Sequence, residues 1–301
     1  MSNLSNIIPE RAADIGNFLV GRLLPFREKR MVGPFVFIDH MGPADMGPDE
    51  NLDVGPHPHI GLSTLTYLFE GSIVHRDSLG TSLEITPGAV NWMTAGHGVT
   101  HSERTPEDKR GAQKTLHGLQ IWVALPAHLE DMDPSFDHIA ADSLPTWNQD
   151  GIKYKLIAGS YDNKQSPVPV YSPMYMIEMK ASEETEVDFN GTLYGETGVY
   201  ILNGGLRIDD TVYEPKQILV AHDCNLCQFT MLAGTTIYIF GGEPFEEERH
   251  INWNFVSTSK EKISAARERW KNHNFPKVPG DDDYVPLPSL QRKADRKTPR
   301  P

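Results

Sequence analysis

Four residues with metal-ligand chemistry occur as two spaced pairs. His57 and His59 stand two apart in GPHPHIG, and His101 and Glu103 stand two apart in TAGHGVTHSER. Side chains at positions i and i+2 of an extended strand point to the same face, so each pair can converge on one ion. Imidazole suits iron, copper, nickel and zinc, and the carboxylate favours divalent iron or manganese. The spacing predicts one transition-metal site, with a closed structural zinc site as the alternative.

The turn before His101 predicts how the two pairs meet. Gly96 and Gly98 allow positive φ angles or a close approach of backbone, so that the second strand can begin beside the first. We therefore expect three imidazoles and one carboxylate to face one point inside a barrel. Two further histidines, His75 and His117, lie in strand-like runs and are interpreted as structural. His40 follows Asp39 near the expected pocket mouth and is a candidate to orient a ligand.

The elements that position these residues are predicted to be strands. Short apolar runs such as TLTYLF, SIVHR, AVNWM and LQIWVAL recur between turn signals, which is typical of an antiparallel sandwich or barrel. The polar, Pro-bearing stretch 126–150 predicts an interdomain connection. Near the end, TSKEKISAARERWKNHNF predicts a helix that packs on a sheet. Thr258 and Glu261 form its expected capping box, and its expected apolar face is Ile263, Ala266 and Trp270.

A weak internal repeat divides the chain into two similar units. YLFEGSI at 67–73 matches YILNGGL at 200–206, and EITPGAVNWM at 84–93 matches VYEPKQILVA at 212–221. Ungapped extension of these matches puts His101 and Glu103 opposite Phe229 and Met231, and puts His57 and His59 opposite Asn190 and Thr192. We therefore expect a metal-binding N-terminal lobe (1–135), a C-terminal lobe without metal ligands (136–250), and a C-terminal helix and tail (251–301).

Composition limits the classes of partner. The formal charge of −13, from 41 acidic and 28 basic residues, argues against direct nucleic-acid binding. No leader-like or membrane-spanning apolar stretch occurs, so we expect a cytoplasmic protein that does not contact a membrane. Cys224 and Cys227 form a C-x-x-C within a strand-like run and are interpreted as buried or inert thiols rather than a redox or zinc pair. The basic stretch QRKADRKTPRP is expected to be a solvated tail.

The residues of the metal motifs resemble the pirin family of the cupin superfamily, which includes bacterial pirin-like quercetin 2,3-dioxygenases. The resemblance is carried by GPHPHIGLSTLTYLFEGSIVHRDSLG and PGAVNWMTAGHGVTHSER, and extends to FIDHMGP at 37–43, GLQIWVALP at 118–126 and FPKVPGDDDYVPLP at 275–288. It implies an all-β bicupin of two antiparallel β-sandwich lobes. It also implies one metal, Fe(II) before Mn, Cu, Ni, Co or Zn, held by His57, His59, His101 and Glu103.

The resemblance leaves three functions open. The first is a flavonol dioxygenase that binds a planar aromatic substrate such as quercetin together with dioxygen, with Glu103 as the catalytic base. The second is a redox-responsive regulatory protein that binds protein partners without catalysis. The third is a metal-dependent isomerase or an enzyme acting on another small molecule, since a cupin fold does not fix the reaction. We expect the chain to act as a monomer.

Overall fold

The computed structural model describes residues 4–15, 18–189, 191–222 and 228–288, and for residue 222 it describes the backbone alone. The expected thiol pair, Cys224 and Cys227, and the basic stretch 291–301 lie outside these ranges. Within the described residues the chain is built almost entirely of antiparallel strands, with one α-helix near its end. No helix among these residues is long and apolar enough to cross a membrane.

The strands of the first half begin with an extended N-terminal segment and end after the second metal motif. They are β1 (Leu4–Pro9), β2 (Arg11–Asp14), β3 (Leu19–Leu24), β4 (Phe35–Met46), β5 (Asp53–His59), β6 (Leu62–Glu70), β7 (Ile73–Asp77), β8 (Ser82–Ile85), β9 (Val90–Thr94), β10 (Val99–Arg104), β11 (Lys114–Ala124) and β12 (Ser135–Ile139). Short 3-10 turns lie at Glu107–Lys109, Ala127–Leu129 and Ala141–Ser143.

The second half repeats this order of strands and adds the helix. Its elements are β13 (Thr146–Gln149), β14 (Ile152–Tyr161), β15 (Lys164–Gln165), β16 (Met174–Ala181), β17 (Thr185–Asp188), β18 (Glu196–Asn203), β19 (Leu206–Ile208), β20 (Thr211–Tyr213), β21 (Gln217–His222), β22 (Gln228–Met231), β23 (Thr235–Gly242), β24 (His250–Asn252), β25 (Phe255–Ser257) and α1 (Lys260–Lys271).

Each half forms a large sheet packed on a small one. In the N-terminal lobe the large sheet has the order β12-β9-β6-β11-β4-β3-β2, and the small sheet has the order β5-β10-β7-β8. In the C-terminal lobe the corresponding orders are β13-β14-β16-β23-β18-β21-β1, with β15 on β14, and β17-β22-β19-β20. The two lobes are therefore β-sandwiches of matching strand order, which confirms the predicted all-β bicupin.

The two large sheets pack against each other because their strands are apolar on both faces. On β6, Leu65 and Tyr67 enter the core between the lobes, whereas Leu68 enters the interior of its own lobe. Tyr200 and Phe240 reach the inter-lobe core from the C-terminal side. Side chains alternate across a strand, so one sheet can serve both cores.

Strand pairing crosses the predicted boundaries at both ends of the N-terminal lobe. β1 is an edge strand of the C-terminal lobe's large sheet, where Ile7 is paired with Leu219 of β21. β12 pairs with β9, so Phe136 lies opposite Met93 in the N-terminal lobe. The division into 1–135, 136–250 and 251–301 stays a prediction about independent units. The sheets themselves exchange segments across it.

The predicted helix is present, but its N-cap lies one residue later than expected. The Ser259 side chain accepts a hydrogen bond from the Lys262 backbone N–H at 3.2 Å, while the Thr258 N–H donates to the buried Glu130 carboxylate. The expected apolar face is confirmed, since Ile263, Ala266 and Trp270 are all buried. They pack on Phe255 of β25 and on Phe275.

Strand register also corrects one detail of the repeat. His101 is paired with His57 across β10 and β5, and Phe229 is paired with Val187 across β22 and β17. Val187 therefore corresponds to His57 in place of Asn190, which lies outside the described residues. The ungapped comparison missed this because the connection from β17 to β18 is longer than the one from β5 to β6. Val187, Phe229 and Met231 all join the apolar interior of the C-terminal lobe.

Candidate metal centre

Two antiparallel neighbours of the small N-terminal sheet bring three imidazoles together. His57 and His59 share one face of β5, and β10 places His101 directly opposite His57. One ring nitrogen of each lies within 4.8 Å of those of the other two, and all three side chains are buried. Within the described ranges, no other group of three or more His, Cys, Asp or Glu side chains brings its donor atoms within 4.8 Å of one another. The arrangement can hold a metal ion.

The ring nitrogens of the cluster differ in their hydrogen bonds. The Nδ1–H of His57 donates to the Gly55 carbonyl at 2.9 Å, which leaves its Nε2 with a free lone pair. The Nε2 atoms of His59 and His101 lie 3.0 Å apart. The Nδ1 of His59 is buried without a hydrogen bond of good geometry, although the Asn254 backbone lies close enough to favour its protonated form slightly.

A second histidine fixes the tautomer of His101. The Asp77 carboxylate accepts from His75 Nε2–H at 3.0 Å, so the Nδ1 of His75 is the acceptor in its 3.4 Å contact with His101 Nδ1–H. The lone pair of His101 is then on Nε2, which faces His59. A carboxylate or carbonyl behind a ligating imidazole commonly orients it in this way.

Burial keeps these rings neutral. Desolvation lowers the pKa of His57 to about 4, although the Gly55 carbonyl raises it in part. Desolvation also lowers the pKa of His59 and His101 well below the ordinary value, and the neighbouring imidazoles add to the effect. A metal needs deprotonated ligands, so a site that is neutral before the ion arrives gives up no proton on binding.

Glu103 lies on the same strand as His101 but outside the imidazole cluster. Its Oε1 accepts a long, 3.5 Å hydrogen bond from Thr66 Oγ1, which also donates to Gln120 Oε1 at 2.9 Å. Burial raises the pKa of its carboxyl group. Residue alternation does turn Glu103 toward the face that carries His101, but a bulge falls between the two residues in the pairing with β5. Its role as a fourth ligand stays a prediction.

The cluster lies in the wall of a cavity of about 540 Å³. This volume is within the range of small-molecule sites. Its sides include Phe37 and Trp122, whose rings stack at 4.0 Å, and the His59 ring meets Trp122 edge-on at 5.1 Å. Gln120, Asn254 and Arg22 contribute polar groups to the same cavity. A flat apolar ligand carrying a few oxygen atoms fits such a lining.

The adjacent residues Asp39 and His40 point to different places in the structure. Asp39 lines the cavity, where it accepts two hydrogen bonds from Arg22 at 2.8 and 2.7 Å. His40, the candidate ligand orienter, instead contacts Glu10 at 2.6 Å and His117 at 2.8 Å, away from the imidazole cluster. The residue that contacts a ring of the imidazole cluster from behind is His75, at 3.4 Å from His101. The signal for it was present, because His75 and Asp77 have the same two-residue spacing as the metal motifs.

The residues present fit a divalent transition metal. Each neutral imidazole can offer one nitrogen lone pair to a metal, and the three rings bring one nitrogen each within 4.8 Å of the others, with the Nε2 atoms of His59 and His101 3.0 Å apart. Histidine, with a carboxylate near by, is the ligand set of iron, manganese, nickel and zinc. The group thus has the chemistry of a metal centre in its donors, its burial and its hydrogen bonds.

Comparison with known proteins agrees with this fold. The Pirin family model matches residues 17–123, and the model of the Pirin C-terminal cupin domain matches residues 174–276. A pirin-like protein of Caulobacter vibrioides is 45% identical over 290 residues, which are 94% of this chain and 98% of that protein.

Solved structures show the same similarity. A quercetin 2,3-dioxygenase from Acinetobacter baumannii has a TM-score of 0.86 at 36% identity, covering 95% of each chain. A second quercetin 2,3-dioxygenase from that organism has a TM-score of 0.81 at 26% identity, covering 92% of this chain and 99% of the other. With matches in both lobes and along nearly the whole sequence, the chain belongs to the pirin family.

Proposed function

We propose that this protein is a metal-dependent dioxygenase that opens a flavonol such as quercetin with dioxygen and releases carbon monoxide. The observation that carries the proposal is the cluster of three neutral, buried imidazoles in the wall of an aromatic-sided cavity. The similarity to a quercetin 2,3-dioxygenase of Acinetobacter baumannii, at 36% identity over 95% of both chains, supports the substrate class.

The residues of the cavity suit a planar substrate. The stacked pair Phe37 and Trp122 offers flat apolar surface for an aromatic ring system. Gln120 and Asn254 can hydrogen-bond hydroxyl and carbonyl oxygens of the ligand. Part of the lining is buried, as at His59, His101 and Trp122, which reduces the competition of water for polar contacts with the substrate.

His57, His59 and His101 would hold the ion, and Glu103 would complete the set or act beside it. When bound, a divalent ion such as Fe(II) would lower the pKa of the flavonol 3-hydroxyl. Glu103 would take the proton from that hydroxyl, with Thr66 Oγ1 holding the carboxylate in place. We propose Fe(II) as the resident ion, since a carboxylate beside imidazoles favours divalent iron or manganese, with Mn, Cu, Ni, Co and Zn as the alternatives.

A paired quercetin assay tests the proposal. Protein reconstituted with Fe(II) should remove the flavonol absorbance in air and leave it unchanged under anaerobic conditions. His57→Ala should lose both metal and turnover. Glu103→Gln should lower kcat by roughly a hundredfold or more if the carboxylate is the base. His138→Gln is the control, because His138 bonds Asn91 at 2.8 Å outside the imidazole cluster.

The outcomes distinguish the candidate roles. Oxygen-dependent loss of quercetin that depends on His57 supports the dioxygenase. Metal-loaded wild type that leaves quercetin intact in air would rule out the flavonol reaction and favour the regulatory or isomerase alternatives. If His57→Ala and Glu103→Ala both keep the wild-type metal load, the proposed ligand set is wrong.

A further inference from the structure

The segment that follows α1 returns to the N-terminal lobe and lies beside the metal motif. We call residues 281–288 the C-terminal strap. The Val285 N–H donates to the Pro56 carbonyl at 3.1 Å, immediately before His57. The Val285 carbonyl accepts from the indole N–H of Trp270 at 2.9 Å, and the Tyr284 ring stacks on Trp270 at 4.6 Å. The strap is thus attached to β5 on one side and to the helix on the other.

One arginine of the metal-binding strand holds the start of the strap. Arg104 follows Glu103 on β10 and donates two hydrogen bonds to Asp281, at 2.6 and 2.8 Å. It donates a third to Asp283 at 2.7 Å. Two parallel hydrogen bonds from a guanidinium to a carboxylate are strongly directional. They therefore fix the orientation of the strap relative to β10 as well as its distance from it. The Asp281 side chain is only 6% exposed, so little water can compete with Arg104 for its carboxylate oxygens.

The strap forms part of the cavity that contains the imidazoles. Val285, Pro286 and Pro288 line this cavity together with His57, His59 and His101, and Trp253 lies in the same wall. The side chains of valine and proline have no hydrogen-bonding groups, and proline also lacks a backbone donor. A wall of this composition recognises a ligand by its shape and length rather than by its polar groups.

We propose that Val285 and Pro286 are the specificity-determining wall of the metal pocket, which limits how far a bound ligand can extend from the imidazoles. Arg104 is the positioning residue that holds this wall in place through Asp281 and Asp283. The identity of the ligand class rests on the proposed flavonol function. The position of the wall rests only on the contacts of the strap.

Ligand length is the first test. Anaerobic titration of the metal-loaded full chain with 3-hydroxyflavone and its 4′-methoxy and 4′-butoxy derivatives would follow the flavone absorbance. Val285→Ala should raise the affinity for the butoxy compound about tenfold relative to 3-hydroxyflavone, and Val285→Trp should lower it by a similar factor. If the affinities for all three compounds change equally, or do not change, in variants that keep the wild-type melting temperature, Val285 does not limit ligand length and the proposal is wrong.

Access to the histidines is the second test, and it needs neither metal nor flavonol. Diethyl pyrocarbonate acylates neutral imidazole, and peptide mass mapping of the metal-free full chain would give the rate at His57, His59 and His101. Arg104→Met should raise this rate severalfold. Arg110→Met is the matched control, because the ion pairs of Arg110 are with Asp53 and Glu107 rather than with the strap. A wild-type rate in Arg104→Met would remove Arg104 as the residue that holds the wall.

The two tests separate failure of the wall from failure of the flavonol function. If wild-type protein binds none of the flavones while Arg104→Met opens the site to acylation and Arg110→Met does not, the strap still covers the pocket and the flavonol function falls. If the flavones bind but their length preference ignores Val285, the function survives and the wall falls.

Discussion

At the scale of single residues, the Asp77–His75–His101 chain determines which nitrogen of His101 is available to a metal. Asp77 is fully buried and its other oxygen accepts backbone N–H groups of Leu79 and Thr81 at 2.9 and 3.0 Å. These contacts, with His75, lower the pKa of Asp77 although burial opposes them. A fixed anion behind His75 therefore holds the ring pair in one tautomeric arrangement.

This chain can be tested without any substrate. His75→Phe keeps the ring stacked on Phe136, with which His75 now stacks at 4.5 Å, but removes the acceptor for His101 Nδ1–H. We expect metal affinity to fall roughly tenfold to a hundredfold, as is usual when the partner of a ligating histidine is lost. Asp77→Asn should lower it in the same direction. Competitive titration with a metal-sensing dye measures both.

The control for this prediction is His138→Gln, which alters a histidine of the same lobe that bonds Asn91 and lies outside the imidazole cluster. It should keep the wild-type affinity. Unchanged affinity in His75→Phe, in protein that unfolds at the wild-type temperature, would mean that the tautomer of His101 is set by the ion alone.

The three imidazoles were predictable because two-residue spacing on a strand fixes which side chains share a face. Their position opposite one another depended only on antiparallel pairing of two neighbouring strands. Glu103 has the same spacing but a different outcome in the structure, since the bulge in the β5–β10 pairing lies between it and His101. The extra residue lies on β5 between Val54 and His57, and the intervening Gly55 and Pro56 are residue types that often mark a bulge, so a sequence signal was present but was not used.

At the scale of elements, the turn between β9 and β10 sets where His101 begins. Gly96 has a φ of +50°, and a Cβ added to it would lie 1.9 Å from the Met132 carbonyl oxygen. The same turn is bonded by Gly61 N–H to the Gly96 carbonyl at 2.9 Å, which joins it to the end of β5. The expected glycine geometry is confirmed here, and its reason is close packing of backbone on backbone.

Two glycine substitutions separate strain from collision. Gly80, with φ +93°, has nothing within 4 Å of an added Cβ, so Gly80→Ala should cost only the conformational penalty of about 1–2 kcal/mol. Gly96→Ala adds the clash and should cost at least about 2 kcal/mol more. Urea unfolding of both variants gives the comparison, and equal losses would show that the turn can move away from Met132.

Strands and the helix were predictable to different degrees. The alternation of apolar residues revealed β6, β9 and β11, and the spacing of Ile263, Ala266 and Trp270 revealed the buried helix face. The N-cap was misjudged because Thr258 and Ser259 are equally suited to the role. Ser259 is the N-cap in the structure, because its hydroxyl accepts from the Lys262 N–H, whereas the Thr258 N–H donates to the carboxylate of Glu130, which lies outside the helix.

At the scale of the whole molecule, a polar cluster joins the two lobes beside their apolar core. Glu10 follows β1 and accepts from Tyr200 of the C-terminal lobe at 2.6 Å, and its Oε1 is also 2.6 Å from His40 Nδ1 of the N-terminal lobe. His40 in turn contacts His117 of β11 at 2.8 Å. The groups that act on His117 are His40, Glu70, Lys216 and Glu10, and burial together with His40 lowers its pKa to about 4.

This cluster predicts how stability depends on pH. The unfolded chain protonates His117 near its ordinary pKa of about 6.5, whereas the folded protein resists protonation until about pH 4. The free energy of unfolding should therefore fall as pH drops from 6.5 to 4. Glu10, whose pKa is lowered, contributes stability that is present above its unfolded pKa and is lost at still lower pH. His57, His59 and His101 contribute to the same window because their pKa values are also lowered, so His117→Gln should reduce the slope between pH 6.5 and 4 without abolishing it. Urea titrations at a series of pH values would measure this, and an unchanged slope contradicts the assignment.

The placement of the strap was beyond sequence reasoning. The stretch FPKVPGDDDYVPLP has no helical or strand periodicity, and its position depends on Arg104, which is 177 residues away from Asp281. Similarly, nothing in LSNIIP indicates that β1 joins the sheet of the other lobe. Contacts of this separation are decided by the packed whole and leave little local pattern.

The contacts of β1 and of the strap, each with the lobe at the other end of the chain, have a consequence for how the protein is made. Ser5 bonds Val220 across 215 residues, and Arg104 bonds Asp281 across 177, so each lobe is completed by a segment synthesised with the other. Contacts this distant along the chain slow folding, because the loop must be closed before the contact forms. A nascent N-terminal lobe can pair its own strands early, but it waits for the entire second lobe to be translated before the strap can reach its pocket. During that interval the cavity beside the three histidines lacks the side formed by Val285 and Pro286, so the pocket is completed only after the whole chain has been made.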